Sequence, residues 1–233
     1  MVSPFAWNPT YWLIVGPAVL FMLYAQWRVS TAYRRWSNVA NARRLQGAKA
    51  AEILLGQTGL LHVGLRGIAG QLTDNYDPRS KVLNLSEGTA LGSSVASLAI
   101  VAHEIGHAQQ DATGYLPLKL RAGLVPAVNF GSQLGPVLFL LGFLLQFGAL
   151  MWVGIFLFAL AFLFTLITLP VEFNASRRAL RMLDQSGLLV DNQERRGARA
   201  VLNAAALTYV ASMLTALAQL IYYILLARGR RRE

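Results

Sequence analysis

Long uncharged runs alternate with polar, basic stretches along this chain. Residues 11–27, 122–171 and 204–227 contain no Asp, Glu, Lys or Arg. A membrane-crossing helix needs about 20 predominantly apolar residues, so the first and last runs each suffice for one crossing. The middle run is too long for one. Gln146-Phe147-Gly148 weakens it near its centre, which predicts two helices joined by a tight turn. Four spans are therefore expected, at about 9–27, 132–147, 150–169 and 205–227, with residues 28–130 and 170–204 outside the bilayer. The first run has no preceding basic residue and no small-residue cleavage site, so it reads as an uncleaved anchor and not a signal peptide.

The pattern changes between the spans. Residues 28–56 are rich in Ala, Arg and Leu and lack proline, which predicts a helix continuing out of the first span. From Leu61 the chain alternates loosely and is dotted with glycine. Asp77-Pro78-Arg79-Ser80 is a turn signal and residues 81–86 read as a strand, so a β-hairpin is expected over 71–86. Ser86 and Thr89 offer N-caps for a helix over about 91–111, with Gly114 as its terminator. Further on, Pro170 suits the first turn of a new helix that Gly187 ends, and residues 191–199 form a polar lead into the last helix. The expected fold class is mainly α: one integral membrane helical domain, 1–233, carrying a small β-hairpin.

Composition sharpens this picture. Hydrophobic residues make up 55% of the chain and charged residues 14%, against about 25% charged in soluble domains. The net charge of +10 would suit nucleic acid, but the cations flank membrane segments and are not interleaved with aromatics on a soluble face. They fit the positive-inside bias and acidic lipid headgroups. Residues 28–49, 66–121 and 177–199 carry six, five and six basic side chains, all on one side if four spans alternate. That side is then the cytoplasm. Arg228, Arg230, Arg231 and Arg232 fall on the other side, against the trend. With no cysteine, a disulfide framework and a thiolate metal site are both excluded.

Two of the chain's three histidines stand in His103-Glu104-Ile105-Gly106-His107. Side chains at i and i+4 lie about 40° apart on a helix, so His103 and His107 can grip one metal ion while Glu104 takes a proton from its water. The preceding Val95, Leu98, Ala99, Ile100, Val101 and Ala102 imply that these polar groups are buried, and buried polar groups need partners. Gly106 leaves room for another element to come close. Catalytic zinc usually has three protein ligands. Glu172 is the favoured third, a carboxylate just past a membrane span. Asp111 shares the histidine face but lies a turn further on, which suits a supporting contact to a ligand better. His62 lies far upstream, in the glycine-dotted stretch. A helix-dipole role at an N-terminus is the plain alternative for Glu172.

The segments His103-Glu104-Ile105-Gly106-His107-Ala108-Gln109-Gln110 and Leu169-Pro170-Val171-Glu172-Phe173-Asn174-Ala175-Ser176 resemble the YugP-like bacterial membrane zinc metallopeptidases. Asp74-Asn75-Tyr76-Asp77-Pro78 and residues 204–211 fit as well. The resemblance implies a zincin-like core of gluzincin type, with Zn2+ held by His103, His107 and Glu172 and with Glu104 as general base. More distant similarity extends to the heat-shock and prenyl-protein membrane proteases. Those place an acidic residue four positions after the ligand glutamate, where this chain has Ser176. A histidine-orienting carboxylate would then come from elsewhere, Asp111 being the candidate, or be lacking.

Peptide-bond hydrolysis is the expected reaction, with a polypeptide substrate, membrane lipid as surroundings, and neither nucleic acid nor a small organic cofactor. Tyr209 is the candidate oxyanion donor, its alternative being an interfacial aromatic. Gln71, Leu72, Thr73, Asp74, Asn75 and Tyr76 would present a substrate-pairing strand edge, as suits a quality-control protease. A non-catalytic zinc-binding scaffold and a chaperone-like membrane protein are the rival readings.

Overall fold

The computed structural model describes residues 9–229. Arg230, Arg231 and Arg232 of the basic tail lie outside the described residues. Seven helices and three strands follow in the order α1 (Pro9–Ser37), α2 (Gly47–Gln57), β1 (Gly64–Ile68), β2 (Asn75–Asp77), β3 (Val82–Ser86), α3 (Glu87–Ala90), α4 (Val95–Ala112), α5 (Leu116–Leu144), α6 (Gly148–Gln185) and α7 (Asn192–Gly229). Among these, α1, α5, α6 and α7 are long and apolar enough to cross a membrane. The chain divides into two compact units: an apolar one of residues 1–25, 120–169 and 208–233, and a polar one of 26–119 and 170–207.

Within the apolar unit, α5 and α6 pack through glycine. A Cβ on Gly131 would stand 2.6 Å from the Leu157 carbonyl oxygen, and one on Gly154 would stand 2.5 Å from Phe139 N. Small residues at such crossings let helix backbones meet, which is how helices associate where lipid removes the hydrophobic drive. The turn expected near Gln146 is present: Gln146 is left-handed at φ 56°, and Phe147 N donates to the Gly142 carbonyl. Tyr223 stacks on Phe139 with ring centroids 4.3 Å apart. Leu13, Phe130 and Phe156 face outward, a surface suited to lipid tails.

The polar unit has its own core, in which Leu54, Leu83, Leu85, Leu98, Val101, Ile105, Leu183 and Leu202 are buried. Its sheet has the order β1-β3-β2. The expected hairpin is the antiparallel pair β2 and β3, with Tyr76 opposite Leu83. The glycine-dotted stretch adds a third strand, β1, parallel to β3. It fills the second edge of β3, whose backbone groups would otherwise lack partners.

Several helix bounds differ from those the local pattern predicts. The helix leaving the first span stops at Ser37, and α2 begins only at Gly47. Between them the Asn41 side chain donates to Leu45 O and accepts from Leu45 N, Arg44 turns left-handed, and Ala42 N donates to buried Glu194. The metal-motif helix starts at Val95, not 91, because Ser94 accepts from Ser97 N and caps it. Ser86 and Thr89 instead bond the Asp74 carboxylate. Pro170 opens no helix: α6 runs through it for 38 residues. A proline removes one intrahelical bond, and the burial of Val171, Ala175, Ala179 and Leu183 on the following turns holds the helix together. The polar lead before the last helix is itself helical from Asn192, with Asp191 accepting from Glu194 N.

Candidate metal centre

The centre lies within the polar unit, where α4 meets the part of α6 that follows Pro170. Gly106 makes the meeting possible, since a Cβ there would stand 2.6 Å from the Ala175 carbonyl oxygen. The expected close approach at Gly106 is thus made by α6. Three residues before Gly106 and one after it on α4, His103 and His107 present their rings edge to face, 4.8 Å between centroids. His103 Nε2 lies 3.2 Å and His107 Nε2 3.5 Å from the same oxygen of Glu172, Oε2. Because Glu172 lies inside α6 and not at its N-terminus, the helix-dipole explanation of this carboxylate is removed.

Among the described residues, His103, His107 and Glu172 form a group whose ligand atoms all lie within 4.8 Å of one another. Tetrahedral zinc with bonds of about 2.1 Å spaces its ligand atoms by roughly 3.4 Å, and the separations of 3.2 and 3.5 Å from Glu172 bracket that value. The donor set fits as well: two imidazoles and a carboxylate, without thiolate, suit zinc.

The outer nitrogens of both rings are engaged, though not by a carboxylate. Ser176 Oγ lies 3.2 Å from His103 Nδ1, and Gln110 Oε1 lies 3.0 Å from His107 Nδ1. Asp111, expected to support a ligand, instead accepts from Tyr76 Oη at 2.7 Å and from Lys81 Nζ. Its position one turn past His107 carries it toward the sheet. Ser176 holds the place where an acidic residue was looked for. Gln110 sits three residues after His107, a same-face spacing that could have flagged it in the sequence.

Glu104 is buried on α4, and its Oε2 accepts from the backbone N–H of Tyr76 on β2 at 3.0 Å. Burial pushes its carboxyl up from the ordinary range, and the neighbouring imidazoles pull it back only in part. Burial pushes the His107 imidazole down, but Glu172 and Glu104 outweigh that and raise it.

Of the strip expected to meet substrate, only Tyr76 reaches this centre. Asp74 is a structural tie, its carboxylate taken by Ser86 N, Ser86 Oγ and Thr89 Oγ1. Asn75 pairs with Asn84, while Gln71, Leu72 and Thr73 lie exposed in the loop before β2. His62 is exposed and outside the ligand group. Tyr209 lies half-buried on α7, in the apolar unit.

A family model described as "Putative neutral zinc metallopeptidase" matches residues 11–228. The chain belongs to that family. It is also 41% identical over 210 residues to the "Putative membrane protease YugP" of Bacillus subtilis (strain 168), covering 90% of this chain and 93% of that one. No solved structure matches it. The zinc metallopeptidase family thus implies the metal for which His103, His107 and Glu172 are a chemically suitable set, and the four apolar helices agree with a membrane protein.

Proposed function

We propose that this protein is a membrane-integrated, zinc-dependent endopeptidase in which Glu104 is the general base. The observation that carries the reading is the convergence of His103 Nε2 and His107 Nε2 on one oxygen of Glu172, with buried Glu104 on the same helix. His103, His107 and Glu172 would hold the zinc, whose chemistry there would be Lewis acidity toward a water molecule and the scissile carbonyl. Glu104 takes the proton of that water and passes it to the leaving amine. Since Oε2 holds the Tyr76 N–H, Oε1 is the oxygen left for the proton.

β2 is the outer strand of its sheet. A polypeptide adding along its outer edge by backbone hydrogen bonds would bring a peptide bond beside Glu104, which holds the Tyr76 N–H. Such pairing tolerates many sequences, which suits quality control of membrane polypeptides. The basic flanks of the spans support a cytoplasmic active site in a bacterial inner-membrane protein.

Glu104→Gln decides between this reading and a zinc-binding scaffold. The purified variant is expected to keep about one zinc per chain and to lose casein cleavage by roughly 10²–10⁴-fold. Equal cleavage by variant and wild type would overturn the reading, and a wild type without zinc would favour the chaperone-like one.

A further inference from the structure

We infer that Gln110 is a positioning residue whose amide, locked in one orientation by Val171 and Asn174, makes the His107 imidazole carry its proton on Nδ1 and present the Nε2 lone pair to the metal. The inference rests on the proposed metal centre and adds to it the group that prepares one of its ligands.

Gln110 is fully buried. Its Nε2 donates to the Val171 main-chain carbonyl at 2.7 Å and to Asn174 Oδ1 at 3.1 Å. Both anchors point the same way for separate reasons. A main-chain carbonyl can only accept, so the amide atom facing Val171 is the NH2. Arg178 Nε, which can only donate, lies 2.8 Å from Asn174, so the Asn174 atom there is the oxygen. That oxygen again demands the NH2 of Gln110. With both hydrogens of the amide spent on α6, its Oε1 is left facing His107 Nδ1 at 3.0 Å. An amide oxygen cannot donate. The hydrogen between them must therefore belong to His107 Nδ1.

The lock opposes a competing arrangement. Glu172 Oε2 lies 3.5 Å from His107 Nε2, and a proton on Nε2 would bond that carboxylate and occupy the lone pair the metal needs. His103 is under no such compulsion. Its Nδ1 faces the Ser176 hydroxyl at 3.2 Å, and a hydroxyl serves as donor or acceptor equally well. The chain thus prepares its two imidazoles unequally: the Arg178–Asn174–Gln110 relay dictates the tautomer of His107 and leaves that of His103 to the metal.

Zinc affinity of the full-length, detergent-solubilised protein, measured by competition with a chelator, tests this alongside metal-free thermal stability. Gln110→Leu removes the acceptor and is expected to bind zinc about 10–100-fold more weakly than wild type. Gln110→Glu keeps an oxygen toward Nδ1 but loses both donors. Its metal-free stability is expected to fall as much as that of Gln110→Leu, while its zinc affinity stays within about threefold of wild type. Loss of affinity in both variants would mean that only packing is at stake, and wild-type affinity in Gln110→Leu would mean that the lock is idle; either overturns the proposal and leaves the metal centre standing. A wild type that binds no zinc removes both. Should Gln110→Leu not fold, imidazole nitrogen spectra of the metal-free wild type decide, at a pH where its three histidines are neutral. An Nδ1–H form of His107 is expected, and an Nε2–H form overturns the lock.

Discussion

In the apolar unit, Gly142 and Gly154 bring backbone against backbone, and the side chains packed around them are apolar: Phe139, Met151 and Ile155 are buried there. In the polar unit, Gly106 makes an equally close contact with Ala175, yet the groups gathered beside it are Glu104, Gln110, Glu172 and Ser176, all buried. The same steric device thus serves two ends. Between the apolar helices it maximises van der Waals contact, and nothing else is asked of it. Between α4 and α6 it sets the distance at which two imidazoles and a carboxylate share one point, so every polar group drawn in needs a partner. A small error in the first place costs stability. In the second it costs the metal.

The sharpest way to break that contrast is to add a methyl group at each crossing. Gly106→Ala should force α4 from α6, lowering the stability of the polar unit by about 1–3 kcal/mol and zinc affinity by about tenfold or more. Gly154→Ala, with its new Cβ 2.5 Å from Phe139 N, should cost a similar amount of stability and leave zinc affinity at its wild-type value. Chelator competition and thermal unfolding in detergent read both quantities, and equal loss of zinc in the two variants would erase the distinction.

Next in size comes Glu194, which is buried and accepts from Ala42 N and Val190 N. Glu194→Ala removes the acceptor of both N–H groups, and since Ala42 and Val190 are exposed water can take its place, so the cost is expected at about 0.5–1.5 kcal/mol in all. Faster proteolysis of the segment between α1 and α2 should report it, with resistance equal to wild type counting against the tie.

The smallest effect concerns Asp111. Burial pushes its carboxyl up, but the bonds from Lys81 and Tyr76 outweigh this and hold it below the ordinary range. Its contribution to stability is therefore full above the unfolded value of about 3.9 and is lost as pH falls through the lower folded value. Asp111→Asn should be less stable than wild type near neutrality, and the gap should narrow as pH drops below about 4. A gap independent of pH would show that the charge plays no part.

The four apolar helices and the metal motif were legible in the sequence because each is local. Uncharged runs of sufficient length need no tertiary context to be read, and two histidines one turn apart share a face of any helix. Glu172 was legible more weakly, as an isolated carboxylate just past an apolar run. Its setting was not: the pattern around Pro170 predicts a helix start, and the burial of the following turns decides for a continuous helix instead. The third strand escaped notice because Gly64, Leu65, Arg66 and Gly67 are all exposed and so show no alternation.

By itself, then, the sequence determined the number of apolar helices and the placing of His103, Glu104 and His107 together on one stretch of helix, since helical periodicity and hydropathy act over neighbouring residues. Only the tertiary structure decided which groups hold the imidazoles. Ser176 and Gln110 took the role sought for a carboxylate, and Asp111 was drawn away to Tyr76 and Lys81. Ser176 lies tens of positions from His103, as Val171 does from Gln110 and Tyr76 and Lys81 do from Asp111, and the contacts with α6 depend on two helices approaching to within the width of the methyl group that Gly106 lacks.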